Sequence, residues 1–353
     1  MKASRIGQSA AILSIGAIAL TACGGGGTTT LQGAGASSQE AAMNAWSDGA
    51  GELDPAVEVR YSPDGSGAGR EAFLAGGASF AGSDAAMDEE EFESSKEQCG
   101  DKGAFNVPAY ISPIAVGFNL EGIDSLNLDA ETIAGIFSGE ITTWNDPAIA
   151  QQNPDADLPD TNITVVHRSD ESGTTENFTD YLSQAAPKDW TDEPDQAWPS
   201  KYAAENNKGT SGVVTTTSGT EGAITYADSS AVGDLGTAAI KVGDEYVKHS
   251  PEAAAKAVEV SKQVEGRGEH DMAIEIARDT KEAGAYPLVL VSYHIVCAQY
   301  DSKETADLVK AFETYVVSEE GQKAAADSSG SAPLSESLRK QTQAAVDTIS
   351  AKG

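Results

Sequence analysis

The sequence predicts a two-lobed α/β protein with mainly parallel sheets, and three observations carry that prediction. The chain has 353 residues, more than one average core holds. Strand-like and helix-like stretches alternate along most of it, the pattern of βαβ units. Two β-rich stretches, "FNVPAYISPIAVGFNL" (105–120) and "AYPLVLVSYHIVCAQY" (285–300), are long enough to run from one lobe into another. Crossings near 108–116 and 285–293 build the first lobe from both chain ends, residues 31–112 with 290–353. Residues 113–289 then form the second lobe.

Each element has its own signal. After a small-residue start, Ala42, Met43 and Trp46 make a helical face. "VEVRYSPDGSGAGREAFLAG" alternates at Val57, Val59 and Tyr61, turns on glycine and serine, and enters a helix with Phe73 and Leu74. "ASFAGSDAAM" is a short strand ending at Ser83 and Asp84. "DAETIAGIFSGEITTWNDPAIAQQNP" reads as a helix pair around Ile133, Ile136 and Phe137, and "NITVVHRS" as a buried strand. "TSGVVTTTSGTEGAITYAD" gives a helix, a turn and a strand. Lys256 to Glu282 is polar and charged and reads as a peripheral insertion. Two helices, Ser302 to Glu319 and Ser335 to Ile349, close the chain. No internal repeat stands out.

At the N-terminus Lys2 and Arg5 precede "AAILSIGAIAL" (10–20), too short for a membrane span of ~20 residues. That is the layout of a secretory signal peptide. It ends in "LTAC" (20–23), which resembles the lipobox of bacterial lipoproteins. The resemblance implies a signal peptide over 1–22 and a mature chain beginning at Cys23, whose sulfur carries a diacylglyceryl group. "GGGGTTT" (24–30) follows, so residues 23–30 read as a lipidated flexible tether. Cys99 and Cys297 remain; in an exported protein they suit a disulfide, but nothing in their spacing fixes whether they meet. Four histidines, His167, His249, His270 and His294, are scattered without metal-ligand spacing, so no metal site is expected.

Fifty-five acidic residues against 23 basic ones give a formal net charge of −32. This excess argues against nucleic acid and against a basic face on anionic lipid. It is compatible with no more than solubility. Three loops nevertheless look built for an anion: "GAGASS" (33–38), "DGSGAG" (64–69) and "DESGTT" (170–175). Each sets small residues and a hydroxyl at a helix start, where unpaired N–H groups and a partial positive charge favour an oxyanion. Taken singly, each also fits an ordinary helix cap. None has Walker spacing, no GxSxG elbow occurs, and no base or metal stands ready to activate a serine. With hydroxyl donors, an arginine and a buried-looking carboxylate, this inventory suits capture of a small oxyanion without reaction, so no enzyme and no cofactor is expected.

"GAGASS", "YSPDGSGAGR", "FAGSDAAM", "ISPIAVGFNL", "IFSGEITTWNDPAI", "HRSDESGTTENFTDYL" and "GTEGAITYAD" occur in the order found in the PstS-type phosphate-binding proteins of bacterial phosphate ABC importers. The likeness covers nearly all of the mature chain and is faintest between about Lys241 and Ala285. It implies the type II periplasmic-binding-protein fold, two α/β lobes with a two-stranded hinge and an interlobe cleft. It also implies phosphate as ligand, the importer's permease and ATPase subunits as partners, and a monomer lipid-anchored outside the cytoplasm.

By the same resemblance, Ser37 (hydroxyl and backbone) and the Ser38 N–H serve from the first helix start and Ser66 from the second. Asp84 takes the place of the acceptor carboxylate. Arg168 pairs with the ion and helps hold Asp84 ionised, while Ser172, Gly173 and Thr174 form the third donor cluster. Ser37-Ser38 departs from the more usual Thr-Phe, and Glu171 stands where glycine is common, so its carboxylate must point away. An ionised Asp84 accepts the proton that phosphate keeps and sulfate lacks. The alternative is a binding protein for another oxyanion such as sulfate, molybdate or a phosphonate.

Overall fold

A computed structural model describes residues 29–54, 57–202, 204–265, 267–268 and 270–353; the signal peptide, Cys23 and most of the tether lie outside the described residues. Strand β1 (Thr29–Gly35) runs into a 3-10 turn (Ser37–Gln39) and helix α1 (Glu40–Leu53), which buries Ala42, Met43, Trp46 and Ala50. Strand β2 (Val57–Ser62), helix α2 (Ser66–Leu74), strand β3 (Phe80–Ser83) and helix α3 (Glu89–Cys99) follow. A capping box of Asp88 and Glu91 starts α3 by satisfying reciprocal N–H groups. Strand β4 (Ala104–Phe118) is fifteen residues long and buried throughout.

The middle of the chain forms β5 (Ser125–Leu128), α4 (Ala130–Ser138), α5 (Pro147–Ala150), β6 (Thr164–Arg168), α6 (Gly173–Ala185) and β7 (Glu205–Asn207). Then come α7 (Gly209–Ser218), β8 (Ala223–Asp228), β9 (Gly236–Val242), β10 (Glu245–Val247) and α8 (Pro251–Glu259). Short strands β11 (Lys262–Gln263) and β12 (Ile274–Glu275) pair with each other. The chain closes with β13 (Val289–Cys297), β14 (Gln299–Tyr300), α9 (Lys303–Val316), α10 (Glu319–Ser329), α11 (Glu336–Val346) and β15 (Ser350–Ala351).

The main sheet has the order β2-β1-β3-β13-β4-β8-β6-β7, with β9 beside β4 and joined to β5 and β10. Strand β4 spans the two halves. Its residues 104–113 pair with β13 in the first half, and residues 114–118 pair with β8 in the second. Within each half the flanking pairs β1–β2, β1–β3, β6–β8 and β5–β9 are parallel. The central pairs β3–β13, β4–β13, β4–β8 and β4–β9 are antiparallel, which corrects the expectation of mainly parallel sheets. The reason is topological: β13 brings the chain back into the half that β4 leaves, so the two must run in opposite directions.

Close approach shapes the first loop. Gly35 holds φ +146, and a Cβ there would fall 1.8 Å from the Gly82 carbonyl oxygen, so only glycine lets β1 meet β3 at this point.

Three other expectations change. Thr29 and Thr30, assigned to the tether, open β1 opposite Val57 and Glu58. A third closing helix, α10, follows Ser318, whose hydroxyl accepts from the Gly321 N–H. The segment read as a peripheral insertion is instead a strap across the junction of the halves, with Met272, Ala273, Ile276 and Arg278 buried. On the first half it is held through Met272 N–H to the Asn106 carbonyl (3.1 Å) and Arg267 to the Met87 carbonyl. On the second, Arg278 bonds Asp180 (2.9 Å) and Asn177 of α6, and also the Pro287 and Val289 carbonyls. The charged residues that made the segment look peripheral thus satisfy buried carbonyls.

The sulfurs of Cys99 and Cys297, 198 residues apart in sequence, form a disulfide that ties the end of α3 to the end of β13. Among the described residues no helix is long and apolar enough to cross a membrane.

Candidate anion-binding site

Four helix starts meet between the two halves. The 3-10 turn leading into α1, and α2, come from the first; α6 and α7 come from the second. The helices α3 to α6 and α8 to α11 each carry a side-chain N-cap, whereas the starts at Ala36, Gln39, Gly65 and Lys208 carry none. Some first-turn N–H groups here have partners in other loops, Gly67 with the Glu171 carbonyl, Gly209 with Asp170 and Thr210 with the Ser37 hydroxyl, while the positive dipole ends still favour an outside anion.

Asp84 lies at the meeting point, directly after β3 and 3% exposed. Its Oδ1 accepts from the Ser38 hydroxyl (2.7 Å) and the Ser292 hydroxyl (2.6 Å), and its Oδ2 from the Thr174 hydroxyl (2.8 Å). Its backbone N–H donates to the Ser66 hydroxyl oxygen (3.1 Å), and its carbonyl accepts from Asn177 Nδ2 (2.8 Å). An ionised carboxylate offers about four acceptor positions, so three hydroxyl donors leave about one on Oδ2.

Arg168 ends β6 and is also 3% exposed. Its Nε donates to Asp170 Oδ1 (2.8 Å) and its Nη2 to Asp170 Oδ2, a fork-to-carboxylate pair. Its carboxylate partner is therefore Asp170, two residues on, a pairing the sequence reading did not include. Among the described residues Nη1 has no hydrogen-bond partner. Burial pushes the Asp170 carboxyl up, but the Arg168 hydrogen bond and charge, with the Gly209 N–H (3.0 Å), outweigh it and hold the group below the usual carboxylate range.

The remaining expected residues join the same cluster. The Ser37 hydroxyl shares a 3.0 Å bond with the Thr210 hydroxyl and accepts from the Thr210 N–H (3.1 Å), linking the first helix start to α7. Ser38, expected to act through its backbone, also commits its side chain to Asp84. Ser172 caps α6 by accepting from the Thr175 N–H (3.2 Å), and Gly173 packs against Asp84 and Ser66. Glu171 is exposed, and its backbone carbonyl accepts from the Gly67 N–H (3.3 Å) of α2. His167 is half-buried, stacked on Trp198, with its Nδ1 2.7 Å from the Arg168 carbonyl oxygen.

Sequence reasoning missed Thr210, Asp170, Asn177 and Ser292. Thr210 follows a glycine at a helix start, the construction of the other three loops, and that signal was available. Asp170 and Asn177 sit inside the quoted "DESGTTEN" motif. Ser292 is one small residue within an apolar strand, and nothing local marks it. Among the described residues no group of His, Cys, Asp or Glu is arranged to hold a metal ion.

Fold and cleft define a class: a two-lobed binding protein of the kind described by the PBP superfamily domain, whose family model matches residues 21–320. Phosphate-binding protein PstS 2 of Mycobacterium tuberculosis is 36% identical over 379 aligned positions, covering 99% of this chain and 100% of that protein. Phosphate-binding protein PstS 3 of Mycobacterium leprae is 33% identical with the same coverage. The chain belongs to the PstS phosphate-binding proteins of the PBP superfamily. Among solved structures, a high-affinity periplasmic phosphate-binding protein (PfluDING) bound with phosphate superposes with a TM-score of 0.71 at 21% identity, covering 90% of this chain and 93% of that one. An ABC-type phosphate transport receptor from Vibrio cholerae gives 0.56 at 17%, over 86% and 100%. At such identities these likenesses speak to the fold.

Proposed function

We propose that this protein binds inorganic phosphate outside the cytoplasm and delivers it to an ABC-type permease with its ATPase subunits, without catalysing a reaction. The observation that carries the proposal is the state of Asp84: three hydroxyls donate to it, about one acceptor position is left, and helix starts without caps surround it. Near neutral pH phosphate keeps a proton that this position can accept, whereas sulfate brings only oxygen lone pairs against a carboxylate. Leaving such a contact unpaired in a dry site costs about 1–3 kcal/mol, and more when charged.

In this reading Ser37, Ser66 and Ser172 supply hydroxyl donors and Ser38, Gly173 and Thr174 supply backbone N–H donors, because the Ser38 and Thr174 hydroxyl hydrogens go to Asp84; Thr210 holds Ser37 in place. Arg168, locked in plane by Asp170, turns its free Nη1 edge to the ion. The lobes are residues 31–112 with 290–353, and 113–289, closing on the ligand as a two-state equilibrium biased by binding. Cys23 is the lipid attachment site, where two acyl chains suffice for stable anchoring. The relatives named as phosphate-binding proteins support the ligand assignment.

The test is calorimetry of the purified protein with phosphate and with sulfate, repeated on Asp84→Asn. Phosphate is expected to bind, sulfate not, and Asp84→Asn to narrow the difference. Equal binding of both ions by the unaltered protein would refute the proposal.

A further inference from the structure

Behind Asp84 a chain of buried hydrogen bonds runs into the first half. Ser292 and His294 lie two apart on β13, so both side chains point to the same face. Gln39, fully buried at the end of the 3-10 turn, bridges them. Its Nε2 donates to the Ser292 hydroxyl (2.6 Å) and the Tyr293 carbonyl (3.2 Å), and its Oε1 lies 2.9 Å from His294 Nε2. His294 Nδ1 contacts both Glu313 carboxylate oxygens at 3.0 and 2.9 Å, and both side chains are 0% exposed.

The direction of every bond follows from the ends. The Tyr293 carbonyl can only accept, which sets the Gln39 amide with Nε2 toward Ser292 and Oε1 toward His294. Oε1 can only accept, so His294 Nε2 carries a proton. That holds whether the proton shared with Glu313 rests on the imidazole or on the carboxyl. The Ser292 oxygen, already accepting from Gln39, is left to donate, and its partner is Asp84 Oδ1.

We propose that Glu313, His294 and Gln39 are positioning residues for ion selectivity: they orient the Ser292 hydroxyl as a fixed donor to Asp84, keeping that carboxylate an acceptor toward the ligand. This rests on the reading of Asp84 given above. Without the relay the Ser292 hydroxyl can rotate away. Asp84 then loses one of the three donors that fix its carboxylate, and its remaining acceptor position can swing off the ligand's proton, so phosphate loses a contact that sulfate never makes.

Two measurements test this on the intact protein. Long-range 15N–1H spectra of histidine-labelled protein report which ring nitrogens are protonated; the chain has four histidines, and His294 is assigned by replacing His167, His249 and His270 in turn with Gln. His294 Nε2 is expected to be protonated; an unprotonated Nε2 means that the amide is reversed and overturns the proposal, whatever the variants do. Calorimetry then compares phosphate and sulfate for Gln39→Met, Ser292→Ala and the double variant. Each single change is expected to narrow the phosphate-to-sulfate ratio by about tenfold, the effect of one hydrogen bond to a charged group. The double variant should match Ser292→Ala, because Gln39 acts through Ser292. An unchanged ratio in Gln39→Met, or losses that multiply in the double variant, overturns the relay. If Gln39→Met does not fold, the histidine spectrum decides alone. Absence of phosphate selectivity in the unaltered protein removes the Asp84 reading itself and the relay with it, whereas selectivity combined with an unprotonated Nε2 removes the relay only.

Discussion

Gly173 lies against Asp84: a methyl group on its Cα would fall 2.7 Å from the Asp84 Cβ and 2.7 Å from the Ser66 Oγ. Gly173 begins α6 in the second half, while Asp84 and Ser66 belong to the first, so this contact sets how tightly the halves meet. Gly173→Ala is expected to prop the cleft open and lower phosphate affinity by roughly tenfold to a hundredfold, the scale of an overpacked contact. Alanine also favours the helix, so the urea midpoint of the ligand-free protein should hold or rise. Calorimetry and urea unfolding check the two halves of this expectation; a variant that loses stability along with affinity contradicts it.

Glu176, one turn into α6, keeps Oε2 buried with no hydrogen bond. Burial, opposed by the Arg70 charge and assisted by Asp180, Asp195 and Glu91, pushes its carboxyl from 4.5 up to about 7. Between those values the native protein holds a proton that the unfolded chain has released, so stability falls as pH rises through the window. Glu176→Gln keeps the shape and removes the ionisation. Its stability should match the parent near pH 4.5, as the cited shift requires. It should exceed the parent above pH 7 by on the order of 3 kcal/mol. Urea unfolding at three pH values measures the gap; a gap that is constant with pH would show that Glu176 does not titrate in this range.

The Cys99–Cys297 bridge closes a loop of 198 residues between two fully buried positions. Cross-links of this span stabilise chiefly by restricting the unfolded chain, typically by about 2–4 kcal/mol. Replacing both cysteines with serine is expected to lower the unfolding free energy by that amount. A double variant as stable as the parent under non-reducing conditions would rule out the cross-link as a stabilising element.

With a formal net charge of −32, the protein repels an incoming anion at long range. That field is screened beyond about 8–10 Å at ordinary salt and hardly reaches the dry site itself. Phosphate association should therefore speed up as salt is added. Stopped-flow mixing read by tryptophan fluorescence suits the measurement, since Trp198 stacks on His167 next to Arg168. A rate that falls with salt would contradict the electrostatic account.

The loops at Ser37, Ser66 and Ser172 were legible because their composition is dictated locally: glycine for close approach and a hydroxyl at a helix start. Strands β2, β3 and β6 were legible from their apolar patterns. Strand β1 was not, because its "GAG" end lacks the apolar alternation that marks a strand, and its pairing depends on the absence of side chains. The strap defeated reading for a different reason. Arg278 looks like a surface residue in sequence, yet it is buried because the Pro287 and Val289 carbonyls and Asp180 converge on it from elsewhere in the chain. Asp170 as partner of Arg168 stands only two residues away, inside the same motif, and was passed over because the motif was read for donors rather than acceptors. Ser292 and Gln39 have meaning only once β13 and the first helix start are side by side, a relationship no local window contains.

The first half of the sheet needs β13, which arrives nearly 300 residues into the chain, whereas the strands from β5 to β10 are contiguous. During synthesis, with the N-terminus made first, the central unit can therefore mature while its neighbour waits. β3 keeps an open edge until the final third of the polypeptide appears. Over that interval the vulnerable surface is the one that will carry Asp84, and quality control by chaperones or proteases would act there first.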